Sequence, residues 1–159
     1  MEYFPTATAM PPKQHAIVLL DSCGATRFVH CGDLCGMNVL DELAGRDAVF
    51  VWGNCDDPDS TMQRYVAALG LPWPAVPVTF TDAGKRCAVF HGHEREFNAA
   101  ASSRKYDFIF YGHTHQFADD SKNGCRLINP GALHRAAIHT AAVLDTATGT
   151  LSIYDIPNK

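Results

Sequence analysis

Tyr106-Asp107-Phe108-Ile109-Phe110-Tyr111-Gly112-His113-Thr114-His115 runs from an apolar strand pattern directly into a glycine and two imidazoles. Gly112 has no side chain to block a ligand, and the two rings flank a single residue. So placed, His113 and His115 can face one ion or two adjacent ions. In a chain with 8 His such a pair is weak by itself. Its weight comes from three other stretches that end in the same way.

Thr26–His30 leads into Cys31-Gly32-Asp33, Asp47–Trp52 into Gly53-Asn54-Cys55-Asp56, and Arg86–Phe90 into His91-Gly92-His93. In open α/β sheets, ligands bind outside the carboxyl ends of the strands, so these four loops are expected to share one sheet edge. Asp33, Asn54, His91, His113 and His115 then form a mixed set of carboxylate, amide and imidazole donors. Such a set suits manganese, iron or zinc better than calcium or a thiolate zinc site.

Between these strands the pattern is helical. Pro12 to about Cys23 carries Pro at its start and Gly24 just past its end, which is helix punctuation. Further helices are expected near Met37–Ala44, Ser60–Leu69 and Glu94–Ser103. Pro77–Thr81 and Arg86–Phe90 form a hairpin through Ala83-Gly84. Strands at Cys125–Ile128, Thr140–Leu144 and Leu151–Ile156 end the chain, with turns at Asn123-Gly124 and near Thr148-Gly149. Residues 1–12 hold three Pro without periodicity and read as an irregular lead-in to a single domain over 13–159. Alternating strands and helices with a strand-rich end indicate an α/β sandwich with a pair of mixed sheets.

Composition narrows the function. The chain has 159 residues, is 47% hydrophobic and carries a formal charge of -4, so it is globular and lacks the basic field of a nucleic-acid polymer binder. The six Cys have no disulfide-scaffold spacing, and Cys31-x3-Cys35 lacks a second pair to complete a zinc knuckle. No charged and apolar leader is evident, nor an apolar run near 18 residues. Reduced thiols in a soluble cytoplasmic protein with no membrane partner are expected. Nothing in the sequence selects a monomer over a homo-oligomer.

Taken in order, Gly-Asp, Gly-Asn-Cys-Asp, His-Gly-His, Gly-His-Thr-His and Asn129-Pro130-Gly131 resemble the calcineurin-like metallophosphoesterase superfamily, most closely its small single-domain prokaryotic phosphodiesterases. The resemblance covers about Leu19 to the C-terminus. It implies a four-layer fold, a two-sheet β-sandwich flanked by helices, with a dinuclear site at the strand ends. It also implies that Asp33 bridges two metals, that Asn54, His91 and His113 complete one, and that His115 binds the other. Manganese is the expected metal, with iron, zinc or nickel as substitutes.

Two departures shape the functional expectation. The superfamily opens with a strand ending in Asp-x-His, and no such motif precedes Asp33. Asp21-Ser22-Cys23-Gly24 mimics it, but only Ala25-Thr26 would then join two parallel strands, whereas a parallel crossover takes about a dozen residues. Ile17–Cys23 is therefore read as helix and the first strand as absent, with Met1 just after it. The second departure is Cys55, where wider members carry a leaving-group His. His93 is the remaining candidate proton donor, with an ordinary surface histidine as its alternative.

The leading expectation is a metal-dependent phosphoesterase. It would hydrolyse phosphodiester bonds in a small phosphorylated substrate with a metal-activated water, its activity impaired where one metal lacks the Asp-x-His ligands. The alternative is a catalytically inactive scaffold of the same fold, as the retromer scaffold subunit resembles. A nucleotide-binding module has no Gly-x-Gly-x-x-Gly or Walker-type loop to support it.

Overall fold

The computed structural model describes residues 11–157, so the expected lead-in lies outside the described residues except for Pro11 and Pro12. Helix α1 (Pro12–Ser22) opens on an extended Pro11 and closes at Cys23, so Asp21-Ser22 is helical as the crossover argument requires. The order then runs β1 (Phe28–His30), α2 (Asn38–Leu43), β2 (Ala48–Phe50), α3 (Ser60–Ala68), β3 (Val78–Asp82) and β4 (Lys85–Val89). It continues with α4 (Phe97–Ser102), β5 (Phe108–Phe110), β6 (Phe117–Lys122), β7 (Cys125–Pro130), β8 (His139–Asp145) and β9 (Thr150–Ile156). Each expected element is present within a few residues of its predicted bounds. Strand β6 is the addition. Its sequence Phe-Ala-Asp-Asp-Ser-Lys lacks an apolar run because it is the exposed edge of its sheet.

Five strands form a mixed sheet in the order β3-β4-β5-β7-β6, with β4, β5 and β7 parallel and both edge strands antiparallel. Alternation sends Ala88, Phe90 and Ile109 to one face, where they pack with Ala101 and Phe97 of α4. Cys87, Phe108 and Phe110 take the other face. There they meet Val29, Val49 and Val51 from the parallel pair β1-β2, and Leu144 and Leu151 from the antiparallel pair β8-β9.

These two pairs lie side by side as a second β-layer. Their outer face is covered by helices: Phe28 and Phe50 pack against Leu40, Leu43 and Val66, and Ala16 of α1 reaches Ala141 and Ile156. The result is four layers, α4, five-stranded sheet, second β-layer and α1–α3. Short strands in the middle layers are buried on both faces, which is why their sequences read as continuous apolar runs. Among the described residues β1 pairs only with β2, and β8 only with β9.

Candidate metal centre

The four loops identified in the sequence meet at one edge, and glycines let them come together. A Cβ on Gly53 would lie 2.1 Å from the Asp33 Oδ1, and one on Gly32 would lie 2.6 Å from the His91 Nδ1. Neither position accepts a side chain without moving a donor. Asp33, His113 and His115 themselves have φ of 54°, 66° and 57°. Three non-glycine residues in the left-handed region within one site mark a backbone held by its surroundings.

Carboxylates and one amide do the holding. Asp56 accepts from the N–H groups of Gly53 (2.7 Å), Leu34 (3.2 Å) and Cys35 (3.2 Å), tying the second loop to the first. Glu94 accepts from His91 N–H at 2.6 Å and Gly92 N–H at 2.7 Å. The fully buried Asn129 donates to Gly112 O (2.8 Å) and Thr114 Oγ1 (3.0 Å), and accepts from Gly131 N–H (3.0 Å). The sequence reading assigned roles to none of these three. A carboxylate two or three residues after a turn donor was the available signal for Asp56 and Glu94, since Asp and Glu there can cap the turn's N–H groups.

The tethers place the predicted donors as follows. His91 is 1% exposed and its Nδ1 lies 2.7 Å from the Cys31 carbonyl, which can only accept. That contact fixes the proton on Nδ1 and turns the Nε2 lone pair to the site. Nε2 then lies 3.0 Å from Asn54 Oδ1 and 3.5 Å from Asp33 Oδ1. His113 Nδ1 is 3.0 Å from the same Asn54 oxygen and 3.2 Å from His91 Nε2. His115 stands apart, its Nε2 3.8 Å from the other oxygen of Asp33 and its Nδ1 3.4 Å from the Arg135 carbonyl. His113 and His115 thus fork: one ring joins Asn54 and His91, and the other faces Asp33 from elsewhere. His93 is exposed, with its ring centre 5.2 Å from His91 and 6.1 Å from His113.

Asn54, His91 and His113 present three donor atoms 3.0–3.2 Å apart. Around an ion with bonds of about 2.1 Å, adjacent ligands lie roughly 3.0–3.4 Å apart, so the spacing fits one divalent transition metal. The chemistry fits too. With the proton of His91 committed to Cys31, Nε2 and the Asn54 oxygen are lone pairs facing each other, an arrangement a cation relieves. Asp33 adjoins this trio through His91. Among the described residues no three His, Cys, Asp or Glu side chains by themselves form a group that could hold an ion, so the set depends on the Asn54 amide.

Local electrostatics favour an ionised Asp33. Burial pushes its carboxyl up, but the Cys55 N–H at 3.0 Å, the neighbouring imidazoles and the Cys55 thiol outweigh this and hold it below the usual range. The negative charge of Asp33 in turn pushes the Cys55 thiol up, so Cys55 is kept as a thiol. Burial brings His30, on the strand before Asp33, down to about 4. Cys31, Cys87 and Cys125 are buried, Cys23, Cys35 and Cys55 are exposed, and all six are free. No described helix is long and apolar enough to cross a membrane.

Comparison with known proteins agrees with this architecture. Phosphodiesterase MJ0936 of Methanocaldococcus jannaschii is 25% identical over 145 residues, 86% of each protein. The structure of a novel archaeal phosphodiesterase matches with a TM-score of 0.80 at 21% identity, covering 91% of both chains. Zinc-complexed Vps29 from Entamoeba histolytica matches at 0.60 and 24% identity over 96% of this chain and 86% of its own. The E. coli phosphoesterase Yfce matches at 0.61 and 20% identity over 93% of both. At those identities the structural matches establish the fold. The calcineurin-like phosphoesterase superfamily domain matches residues 9–149, nearly the whole chain, and this protein belongs to that superfamily.

Proposed function

We propose that this chain is a metal-dependent phosphodiesterase whose one well-furnished metal position is built from Asn54, His91, His113 and Asp33. The observation that carries the reading is the convergence of Asn54, His91 and His113 within 3.2 Å, with the His91 tautomer set by Cys31. A divalent ion such as manganese, when bound, supplies Lewis acidity to a phosphoryl group and acidifies water for attack.

The protein's own groups do the rest. His91 and Asn54 hold their donor atoms fixed through buried contacts. Asp33 stays ionised and offers its second oxygen towards His115, where a second ion would find only these two described ligands. Exposed Asn54, His93 and His113 leave the donor set open to solvent, so a small phosphorylated substrate has access from outside. His93, its ring centre 5.2 Å from that of His91, is the residue we assign as proton donor to the departing oxygen. The Cys55 main-chain N–H donates to Asp33 at 3.0 Å, and the Asp33 charge keeps the Cys55 thiol protonated. With the second position thinly furnished, slow turnover is expected.

The test is metal content and hydrolysis of bis-p-nitrophenyl phosphate by the full chain with added manganese. About one equivalent of bound metal and slow, manganese-dependent turnover are expected, both lost in His113→Ala. Turnover at ordinary enzyme rates would overturn the impaired-site reading. The second reading, a non-catalytic scaffold, draws on the sparse surroundings of His115. A chain that binds no manganese, iron or zinc after soaking would establish it over the first.

A further inference from the structure

The loop between β7 and β8 is anchored at both ends. Gly131 N–H donates to Asn129 Oδ1 at 3.0 Å, Thr140 Oγ1 donates to Pro130 O at 2.7 Å, and Thr140 N–H donates to Ala132 O at 3.2 Å. A Cβ on Gly131 would lie 1.9 Å from Thr140 Oγ1, so this closure leaves no room for a side chain there. The bridge that remains carries Arg135 at its middle.

The main chain of Arg135 is joined to the donor set. Its carbonyl, which can only accept, lies 3.4 Å from His115 Nδ1, and that contact leaves Nε2 to face Asp33 at 3.8 Å. A φ of 54° puts this non-glycine residue in the left-handed region, a conformation that the anchored loop must hold.

Arg135 is exposed and lines the same cavity as Asp33, Cys55, His113 and His115. Its charge reaches Cys55: Asp33 pushes that thiol up, and Arg135 pulls against the rise. Arg27, Arg46, Arg86 and Arg126 each engage a carboxylate within 3.1 Å, whereas among the described residues the Arg135 guanidinium engages none. Arg64, Arg95 and Arg104 share that lack but do not line the cavity. The other cation in its wall, Lys13, belongs to α1.

We propose that Arg135 binds the phosphoryl group of the substrate, its guanidinium donating to two non-bridging oxygens beside Asp33 and His115. The guanidinium fork matches a pair of phosphoryl oxygens and keeps its charge at every working pH. It supplies fixed positive charge where Asp33 and His115 are the only described donors for a second ion. The trio of Asn54, His91 and His113 serves one side of Asp33, and Arg135 serves the other. This assignment rests on the phosphoesterase reading and adds to it the residue that retains the substrate.

Calorimetric titration of the full chain with inorganic phosphate, metal-free and after loading with manganese, tests the assignment. The loaded parent is expected to bind phosphate, and Arg135→Ala to bind it at least ~10-fold more weakly. Arg135→Lys should fall between them, because an ammonium keeps the charge but not the fork. Manganese affinity should stay within ~2-fold of the parent in both variants, since neither substitution removes the carbonyl from His115.

Equal phosphate affinity in the parent and Arg135→Ala overturns the proposal. So does a matching loss of manganese affinity, which would make Arg135 a prop for the His115 loop. A parent that takes up no manganese overturns the metal-dependent reading instead. In that case phosphate binding by the metal-free chain that Arg135→Ala weakens still supports the assignment. A parent that binds no phosphate in either state overturns it.

Discussion

Gly53 controls how near the first two loops can come. With a Cβ there, Asp33 Oδ1 and N would each lie within 2.3 Å of it, so Gly53→Ala must displace Asp33 from its present position. A cost of about 1–3 kcal/mol is expected from the forced shift. Urea unfolding will read that cost. Calorimetric titration with manganese should show affinity reduced at least ~10-fold, because a displaced ligand is worth that much to a metal site. Asp56 is the companion case. Asp56→Ala leaves three main-chain N–H groups without their carboxylate, and water can replace it only in part. A loss of about 2 kcal/mol in urea unfolding is expected, with weaker manganese binding although Asp56 faces no donor atom. Unchanged stability in Asp56→Ala would show that the loops are held by packing alone.

At the scale of elements, the parallel strands of the five-stranded sheet are joined at their N-terminal ends by an ion pair. Asp107, just before β5, accepts from Arg86 N–H at 2.8 Å and from its guanidinium at 3.1 Å. Arg86 hydrogen bonds hold the Asp107 carboxyl down at about 2, below the usual carboxylate range. A depressed carboxyl pKa stabilises the fold at pH above the unfolded value. That stabilisation disappears as pH falls through the folded one. The difference in urea midpoint between the parent and Arg86→Met should therefore be constant above pH 5 and shrink between about pH 4 and pH 2. Both partners are substantially exposed, so the difference is expected to be small. A difference independent of pH would assign the effect to the Arg86 stem. The missed strand β6 belongs to this scale as well. Its polarity identifies an edge, and the Asn123-Gly124 turn, with φ of 52° and 86°, fixes its pairing with β7.

For the whole molecule, metal binding as proposed would be linked to folding, because the residues of the four loops converge only in the folded chain. At manganese concentrations about 100 times Kd, the linkage contributes about 2.7 kcal/mol, or roughly 5–10 °C in the thermal midpoint of a chain this long. The His113→Ala variant should show no such rise, and calorimetry with and without manganese checks both outcomes.

The sequence by itself determined every element except β6, and which polar residues stand at the strand ends. Apolar runs ending at glycine mark strands buried on both faces, and His113, His91, Asn54 and Asp33 are legible because each follows such a run. Local punctuation also settled α1, since two residues cannot span a parallel crossover. Only the tertiary structure decided that three donor atoms lie within 3.2 Å, that His91 presents Nε2, and that His113 and His115 part company around Asp33. Those outcomes depend on Asp56, Glu94 and Asn129 reaching across loops. The physical reason is range: propensity and periodicity act over a few residues, whereas the tether from Leu34 to Asp56 and that from Gly112 to Asn129 close loops of 22 and 17 residues.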